Sequence, residues 1–227
     1  MAYNLHSVVP WGRSFEEYCH FFSLTEADLN KKILSVADGP CSFNAEMTRM
    51  GKSCISIDPI YQFSKEDIEN RIHETAHTIG KEVRENQELF LWHYYKSLDG
   101  LINTRHSSMR IFLEDFNEGL KQGRYIIGEM PPLNFPDKSF DIVLCSHFLF
   151  TYSHKLDLNF HIESIKEMMR VGQEVRIFPV LAHDSSKSIH IDDVVSYFNT
   201  KISLAYFEKV NYEFQVGGDQ MLVVKNK

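Results

Sequence analysis

The stretch Ile33-Leu34-Ser35-Val36-Ala37-Asp38-Gly39-Pro40-Cys41-Ser42, followed a little later by Cys54-Ile55-Ser56-Ile57-Asp58-Pro59, decides the fold. The apolar run over 33–37 predicts a strand, and Gly39-Pro40 turns the chain tightly. An amphipathic stretch over about 42–50, closed by Gly51, predicts a helix. The second apolar run, 53–57, predicts the next strand, with the carboxylate of Asp58 at its tip. Strand, loop, helix and strand, with an acid ending the second strand, form the opening unit of a doubly wound parallel sheet. In such sheets ligands lie in the crevice beyond the carboxyl ends of the strands. A second stretch, Gly128-Glu129-Met130-Pro131-Pro132-Leu133-Asn134-Phe135-Pro136-Asp137-Lys138-Ser139-Phe140-Asp141, supplies a loop with an acid. It leads into 141–146, a continuous apolar run of the kind a central parallel strand needs.

Outward from these segments the pattern continues. Residues 14–22 and 25–32 predict helices. Ser14 and Thr25 are the caps, with Glu17 and Asp28 three positions on to complete capping boxes. A long connection, 60–123, separates the second strand from the next strand signal at 124–127. Within it Ile68, Ile72, Ala76, Ile79 and Val83 recur at helical spacing, as do Met109, Phe112, Phe116 and Leu120. This predicts a helical insertion or lid of two or three helices, aromatic-rich at Phe90, Trp92, Tyr94 and Tyr95. A helix over about 159–170, a strand over 174–179 and a helix near 191–199 follow. Two last strands, 202–211 and 219–225, turn around Val216-Gly217-Gly218-Asp219. The expected architecture is α/β: a doubly wound, Rossmann-like, mostly parallel sheet in one domain over 1–227. It has an antiparallel C-terminal hairpin and a helical insertion between strands two and three.

Composition narrows the function. With 227 residues, 43% apolar and 24% charged, the chain suits one α/β domain with an elaboration. A formal charge of −7 disfavours nucleic acid as a partner. The longest apolar run, 142–150, is broken by Ser146 and His147 and is too short to span a bilayer. Residues 1–18 are mixed and contain Pro10 and Arg13, unlike a secretory leader. The cysteines, Cys19, Cys41, Cys54 and Cys145, show no paired spacing. A cytoplasmic protein with reduced thiols, and no membrane partner, is expected. Nothing in the pattern specifies an oligomeric state.

The order of these segments resembles the class I S-adenosylmethionine-dependent methyltransferases, over about 33–59 and 124–180. The most specific piece is 134–141, where that family commonly carries Pro-Phe-Pro-Asp-x-Ser-Phe-Asp. Glu167-Met168-Met169-Arg170-Val171 resembles the family's helix-into-strand signature. Val9-Pro10-Trp11-Gly12-Arg13-Ser14-Phe15 and Asp38-Gly39-Pro40-x-Ser42-Phe43-Asn44-Ala45-Glu46 resemble a bacterial subgroup of it. The resemblance implies S-adenosyl-L-methionine as cofactor and methyl transfer as the reaction, and the acidic charge and aromatic-rich lid suit a small-molecule acceptor.

By the same resemblance Asp58 takes both ribose hydroxyls, Glu129 accepts from the adenine amino group, and Met130 lies against the ring. The plain alternatives are that Asp58-Pro59 starts a turn and that Glu129 is a solvated acid beside a core methionine. The family's loop, acid-x-Gly-x-Gly-x-Gly, falls on Ser35, Ala37, Gly39 and Cys41, so only Gly39 keeps its glycine. Ala37 still permits close approach, and Asp38 offers a carboxylate that Ser35 lacks. Arg13 either reaches the cofactor carboxylate or is a surface arginine. Ser146 and His147 follow the fourth strand at the ligand edge. His147 is a candidate general base, or a histidine satisfied by backbone, since methyl transfer often needs only in-line positioning. Trp11, Phe63, Phe150 and Tyr152 line an acceptor pocket or belong to the core.

Three other readings compete. The eroded glycine loop fits a non-catalytic binding module that keeps the fold. His73-Glu74-Thr75-Ala76-His77 matches the H-E-x-x-H of zinc peptidases. Position 83, where the longer form of that motif wants a third histidine, is Val83. His73 and His77 fall on the flank of the apolar stripe and Glu74 points away from it, so no metal site is expected. A nicotinamide-dependent reductase shares the opening unit but leaves 135–141 unexplained.

Overall fold

In the computed structural model of the chain, residues 10–199 and 203–227 are described. Val9 of the opening motif and residue 202 of the expected strand lie outside them. Helix α1 (Phe15–Phe21) and the single turn α2 (Glu26–Leu29) both carry the predicted capping boxes, on Ser14 with Glu17 and on Thr25 with Asp28. Helix α2 stops short of 32 because β1 (Ile33–Val36) begins almost at once. Then come α3 (Phe43–Arg49) and β2 (Cys54–Ile57). The connection predicted to be helical holds two 3-10 turns, Pro59–Gln62 and Gln87–Leu89, and two long helices, α4 (Lys65–Glu85) and α5 (Leu98–Lys121). It returns to β3 (Tyr125–Ile126), β4 (Phe140–Ser146), α6 (Leu158–Val171), β5 (Gly172–Phe178), α7 (Ile191–Phe198), β6 (Ser203–Lys209) and β7 (Gln220–Asn226).

The seven strands form one sheet in the order β3-β2-β1-β4-β5-β7-β6. The first five are parallel neighbours, whereas β7 runs antiparallel to both β5 and β6. The order reverses between β1 and β4, which places a crevice at their carboxyl ends. Strand β3 is shorter than expected, because as an edge strand it pairs only with Ser56 and Ile57 at the end of β2.

Side chains of the central strands alternate between two cores. Leu34, Val36, Val143, Cys145, Val175 and Ile177 meet Ile165, Met168 and Val194 of α6 and α7 on one face. Ile33, Ile142, Leu144 and Val223 meet Tyr18, Phe21, Phe43 and Met47 of α1 and α3 on the other. Burial on both faces is why these strands read as continuous apolar runs. The stripe on α4 and α5 closes a third core, in which Ile68, Ile72, Met109, Phe112 and Phe116 surround Tyr61 and Tyr125 beside β3. The insertion is also tied across to the final hairpin, since Leu91 N donates to Phe214 O (2.7 Å) and Val216 N to Leu89 O (3.2 Å).

The signature at 133–141 has a structural reason. Arg170 donates to the carbonyls of Leu133 (2.7 Å) and Phe135 (2.8 Å) and to the carboxylates of Asp137 and Glu167, while Glu167 accepts from Leu133 N (3.0 Å). Asp141 then accepts from Lys32 N at the foot of β1 (2.9 Å). The motif thus fixes the entry into β4.

Gly119 tests this packing. Alanine in a helix interior is ordinarily about 1 kcal/mol better than glycine. Here, however, a Cβ would lie 2.3 Å from Tyr125 Cε2, inside the third core. Overpacking is expected to win, and Gly119→Ala should lose about 1–3 kcal/mol in denaturant unfolding. An unchanged or raised midpoint would show that Tyr125 can move aside.

Candidate active site

The loop after β1 turns on two residues in the left-handed region, Ala37 (φ 52°) and Gly39 (φ 58°). Between them Asp38 points into the protein and is 3% exposed. Its carboxylate accepts from Ser35 Oγ (2.5 Å), from Ser56 Oγ (2.6 Å) and from the Tyr18 hydroxyl. Burial raises its pKa, against the pull of those three hydroxyls. Asp38 therefore braces the loop from below.

Gly39 N donates to Asp58 Oδ2 (2.9 Å), and Ile60 N donates to Asp58 Oδ1 (2.8 Å). Each carboxylate oxygen keeps further acceptor capacity. Burial pushes the Asp58 pKa up to about 7, against the two amides, with the neighbouring Asp38 adding to the rise. Nothing lies within 4 Å of where a Cβ on Gly39 would point. Glycine thus meets the backbone requirement and also leaves open space beside Asp58.

An N-terminal strap crosses this loop. A Cβ on Gly12 would fall 2.1 Å from Pro40 O, so the two backbones are in direct contact. Arg13 N donates to Cys41 Sγ (3.1 Å), and Arg13 O accepts from Ser42 N (3.0 Å) and from Ser108 Oγ of α5 (2.6 Å). Cys41, where the resembled family has glycine, supplies an acceptor for the strap.

Beyond the strap lies a buried charged cluster. Arg105 of α5 donates to both oxygens of Glu17 (2.6 and 2.5 Å) and to Tyr95 Oη (2.7 Å), which lies 2.7 Å from Tyr212 Oη. Burial works against both charges of the pair. Their mutual attraction outweighs it, so the Glu17 pKa falls and that of Arg105 rises. Next to the cluster His147 sits at φ 51°, with Nδ1 2.9 Å from Ser146 Oγ and its ring against Phe21 and Phe178. Burial, then the charges of Arg13 and Arg105, hold its pKa well below the ordinary histidine value, so the ring is neutral.

The remaining sequence candidates separate. Glu129 is exposed on the loop after β3, while Met130 is buried and belongs to the same core as Leu34, Val36 and Ile57. Ser146 is buried at the end of β4. Phe150 belongs wholly to the core, Tyr152 is surface-exposed beside Lys155, and Phe63 packs at the edge of the third core. Trp11 lies over Arg105. On α4, His73 and Glu74 face solvent, and Glu74 pairs with Arg71 (3.1 Å). The His77 side chain is outside the description. Sequence reasoning missed the Glu17–Arg105–Tyr95–Tyr212 cluster. One signal was available: Arg105 lies four residues before Met109, on the apolar stripe of its helix.

No family model matches the chain. It is 37% identical over 223 residues to the Uncharacterized protein MJ0045 of Methanocaldococcus jannaschii, covering 98% of each sequence. The PH0226 protein from Pyrococcus horikoshii superposes over 100% of both chains at a TM-score of 0.50 and 12% identity. A SAM dependent methyltransferase from Aquifex aeolicus matches over 99% of this chain and 98% of its own, at a TM-score of 0.41 and 11% identity. The strand order and the antiparallel β7 give the protein the class I S-adenosylmethionine-dependent methyltransferase fold. Within that class, the chain belongs to the family of MJ0045.

Breaking the buried pair on one side leaves a lone carboxylate away from water. Arg105→Met is expected to cost about 3–5 kcal/mol in denaturant unfolding, with much of that recovered in the double variant Glu17→Gln/Arg105→Met. Equal losses in the single and double variants would mean that the charge pair is not what Arg105 contributes.

Proposed function

We propose that the protein binds S-adenosyl-L-methionine and transfers its methyl group to a small-molecule acceptor. The observation that carries this reading is the Gly39–Asp58 junction. A left-handed glycine opens onto free space there, with its amide fixed by a carboxylate at the tip of β2. When bound, the cofactor supplies an electrophilic methyl on a sulfonium. Asp58 accepts the ribose hydroxyls on the lone pairs its two amides leave free. Gly39 lets the backbone approach the ligand, while Ala37 and Asp38 hold the turn. Glu129 accepts from the adenine amino group, and Met130 lies under the ring.

Ser146 orients the His147 ring, whose neutral Nε2 takes a proton from an acceptor hydroxyl or amine. The insertion over 60–123 acts as the lid of a single domain. A net charge of −7 favours a small acceptor over a nucleic acid. Among the described residues no helix is long and apolar enough to cross a membrane, which accords with a cytoplasmic setting. The competing reading, a fold kept without catalysis, draws on the side chains that replace glycines in the loop.

Calorimetric titration of S-adenosylhomocysteine at pH 6, 7 and 8 tests the reading. A diol binds the ionised carboxylate better, and the Asp58 pKa is raised to about 7. Affinity should therefore tighten as pH rises through that value, by up to about tenfold per pH unit below it. Asp58→Asn should bind at least about tenfold more weakly, with a flat pH profile. Failure to bind at any pH would favour the non-catalytic reading.

A further inference from the structure

Gly39 is held from both sides. Its N–H donates to Asp58 Oδ2 (2.9 Å), and its carbonyl accepts from the Tyr61 hydroxyl (2.8 Å). The two bonds grip the peptides on either side of one Cα. They therefore fix both dihedrals of the residue type with the most backbone freedom. Packing does not do this, because a Cβ at Gly39 would meet nothing within 4 Å. Both side chains come from one short segment: Asp58 caps the 3-10 turn Pro59–Gln62, and Tyr61 lies within it.

The Tyr61 ring, by contrast, belongs to the insertion. It is 1% exposed in the third core, with ring centroids 5.9 and 5.8 Å from Phe112 and Phe116 of α5 and 5.2 Å from Tyr125 of β3. Phenylalanine has the same ring, so apolar packing does not account for the hydroxyl. A buried phenol needs a hydrogen-bond partner, and Tyr61 finds it in the Gly39 carbonyl. Burial holds this phenol well above its ordinary range, so it stays a donor. Helix α5 meets the loop again at Ser42, whose N–H donates to Ser108 Oγ (3.2 Å).

We infer that Tyr61 is a positioning residue for cofactor binding, through which the core of the insertion sets the Gly39 backbone; this rests on the methyltransferase reading of the same crevice. Without the hydroxyl the peptide after Gly39 can turn, and the Gly39 N–H loses its aim at Asp58. Asp58 then loses one of the two amides that favour its charged form, so its pKa rises further. The other titratable groups at the junction stay as they are. Asp38 keeps its three hydroxyl donors, and burial pushes the Cys41 thiol and the Tyr125 phenol up, so both remain neutral. Tyr61 thus acts on the cofactor twice: it steadies the loop at every pH, and it keeps Asp58 ionised to lower pH.

Tyr61→Phe keeps the ring and tests the hydroxyl. The Asp58 carboxyl carbon is followed by NMR titration of the ligand-free protein, with Asp58→Asn to assign it. S-adenosylhomocysteine is titrated calorimetrically at pH 6, 7 and 8. The Asp58 midpoint should lie about half a pH unit or more higher in Tyr61→Phe than in wild type. S-adenosylhomocysteine should bind at least about threefold more weakly at pH 7, with a larger loss at pH 6 than at pH 8. Ile68→Val thins the same core and leaves the hydroxyl in place. It should lower the unfolding midpoint while both readouts stay at their wild-type values. An unchanged Asp58 titration in Tyr61→Phe overturns the proposal, as does an affinity within about twofold of wild type. An equal loss in Ile68→Val, or a loss by one factor at every pH, overturns it too, since either would make Tyr61 a core residue only. Wild type that binds no S-adenosylhomocysteine refutes the cofactor reading instead, and the ligand-free titration still decides whether Tyr61 sets the Gly39 backbone.

Discussion

One buried carboxylate, Asp38, sets the geometry on which the crevice depends. Its three hydroxyl donors come from Ser35 on β1, Ser56 on β2 and Tyr18 on α1. A carboxyl group this far from water is tolerable only when its oxygens are satisfied, and these donors do that. They also fasten the first two strands and the N-terminal helix to the residue at which β1 becomes loop. With Asp38 turned inward, the next residue is committed to the left-handed region, and Gly39 sends its amide to Asp58. The two acids thus divide the work: one is consumed by the scaffold, and the other is left with spare acceptor capacity at the crevice.

A second constraint comes from charge. The Glu17–Arg105 pair joins α1 to α5, and through Tyr95 and Tyr212 it reaches the approach to the final hairpin. A buried pair of this kind is weak evidence for net stability, since desolvation opposes attraction. It does fix where the insertion sits, because the fork of Arg105 has one arrangement that satisfies Glu17 and Tyr95 together. The bonds between residues 89–91 and 214–216 add a second tether. The long connection between β2 and β3 is therefore held at two places along its middle, residues 89–91 and Arg105.

Much of this was legible in the sequence, for physical reasons. Strands buried on both faces must be continuously apolar, so β1 and β4 announce themselves. Capping boxes are local, so Ser14 with Glu17 and Thr25 with Asp28 can be read without the fold. The anchors of the insertion, Ile68 and Ile72 on one helix and Met109, Phe112 and Phe116 on the other, follow helical spacing into one core. What could not be read were roles that depend on distant partners. Glu17 is fully explained locally as a cap, which hides its pairing with a residue 88 positions away. The direction of Asp38 depends on Ser56, 18 positions on. Phe150 and Tyr152, two residues apart, fall in the core and at the surface, and no periodicity in that irregular segment separates them. The H-E-x-x-H match shows the converse failure: the spacing is right, but on α4 it directs His73 and Glu74 to solvent.

The departures from the glycine-loop pattern bear on whether the loop has decayed or been rebuilt. Independent loss of glycines and of the acid would leave side chains with no relation to one another. Here they fit together. Ser35, in place of the acid, provides the hydroxyl that Asp38 needs, so the negative charge has moved three residues along and turned inward. Ala37 takes a left-handed conformation with the smallest side chain that L-residues allow, at modest strain. Cys41 fills the last position and accepts the Arg13 amide of the strap. Gly39, the one glycine retained, is the residue whose missing Cβ faces open space. A loop whose replaced positions bond to the surrounding protein, and which keeps glycine where φ is left-handed and a Cβ would meet nothing, is rebuilt rather than collapsed. That pattern supports the cofactor-binding reading over the non-catalytic one.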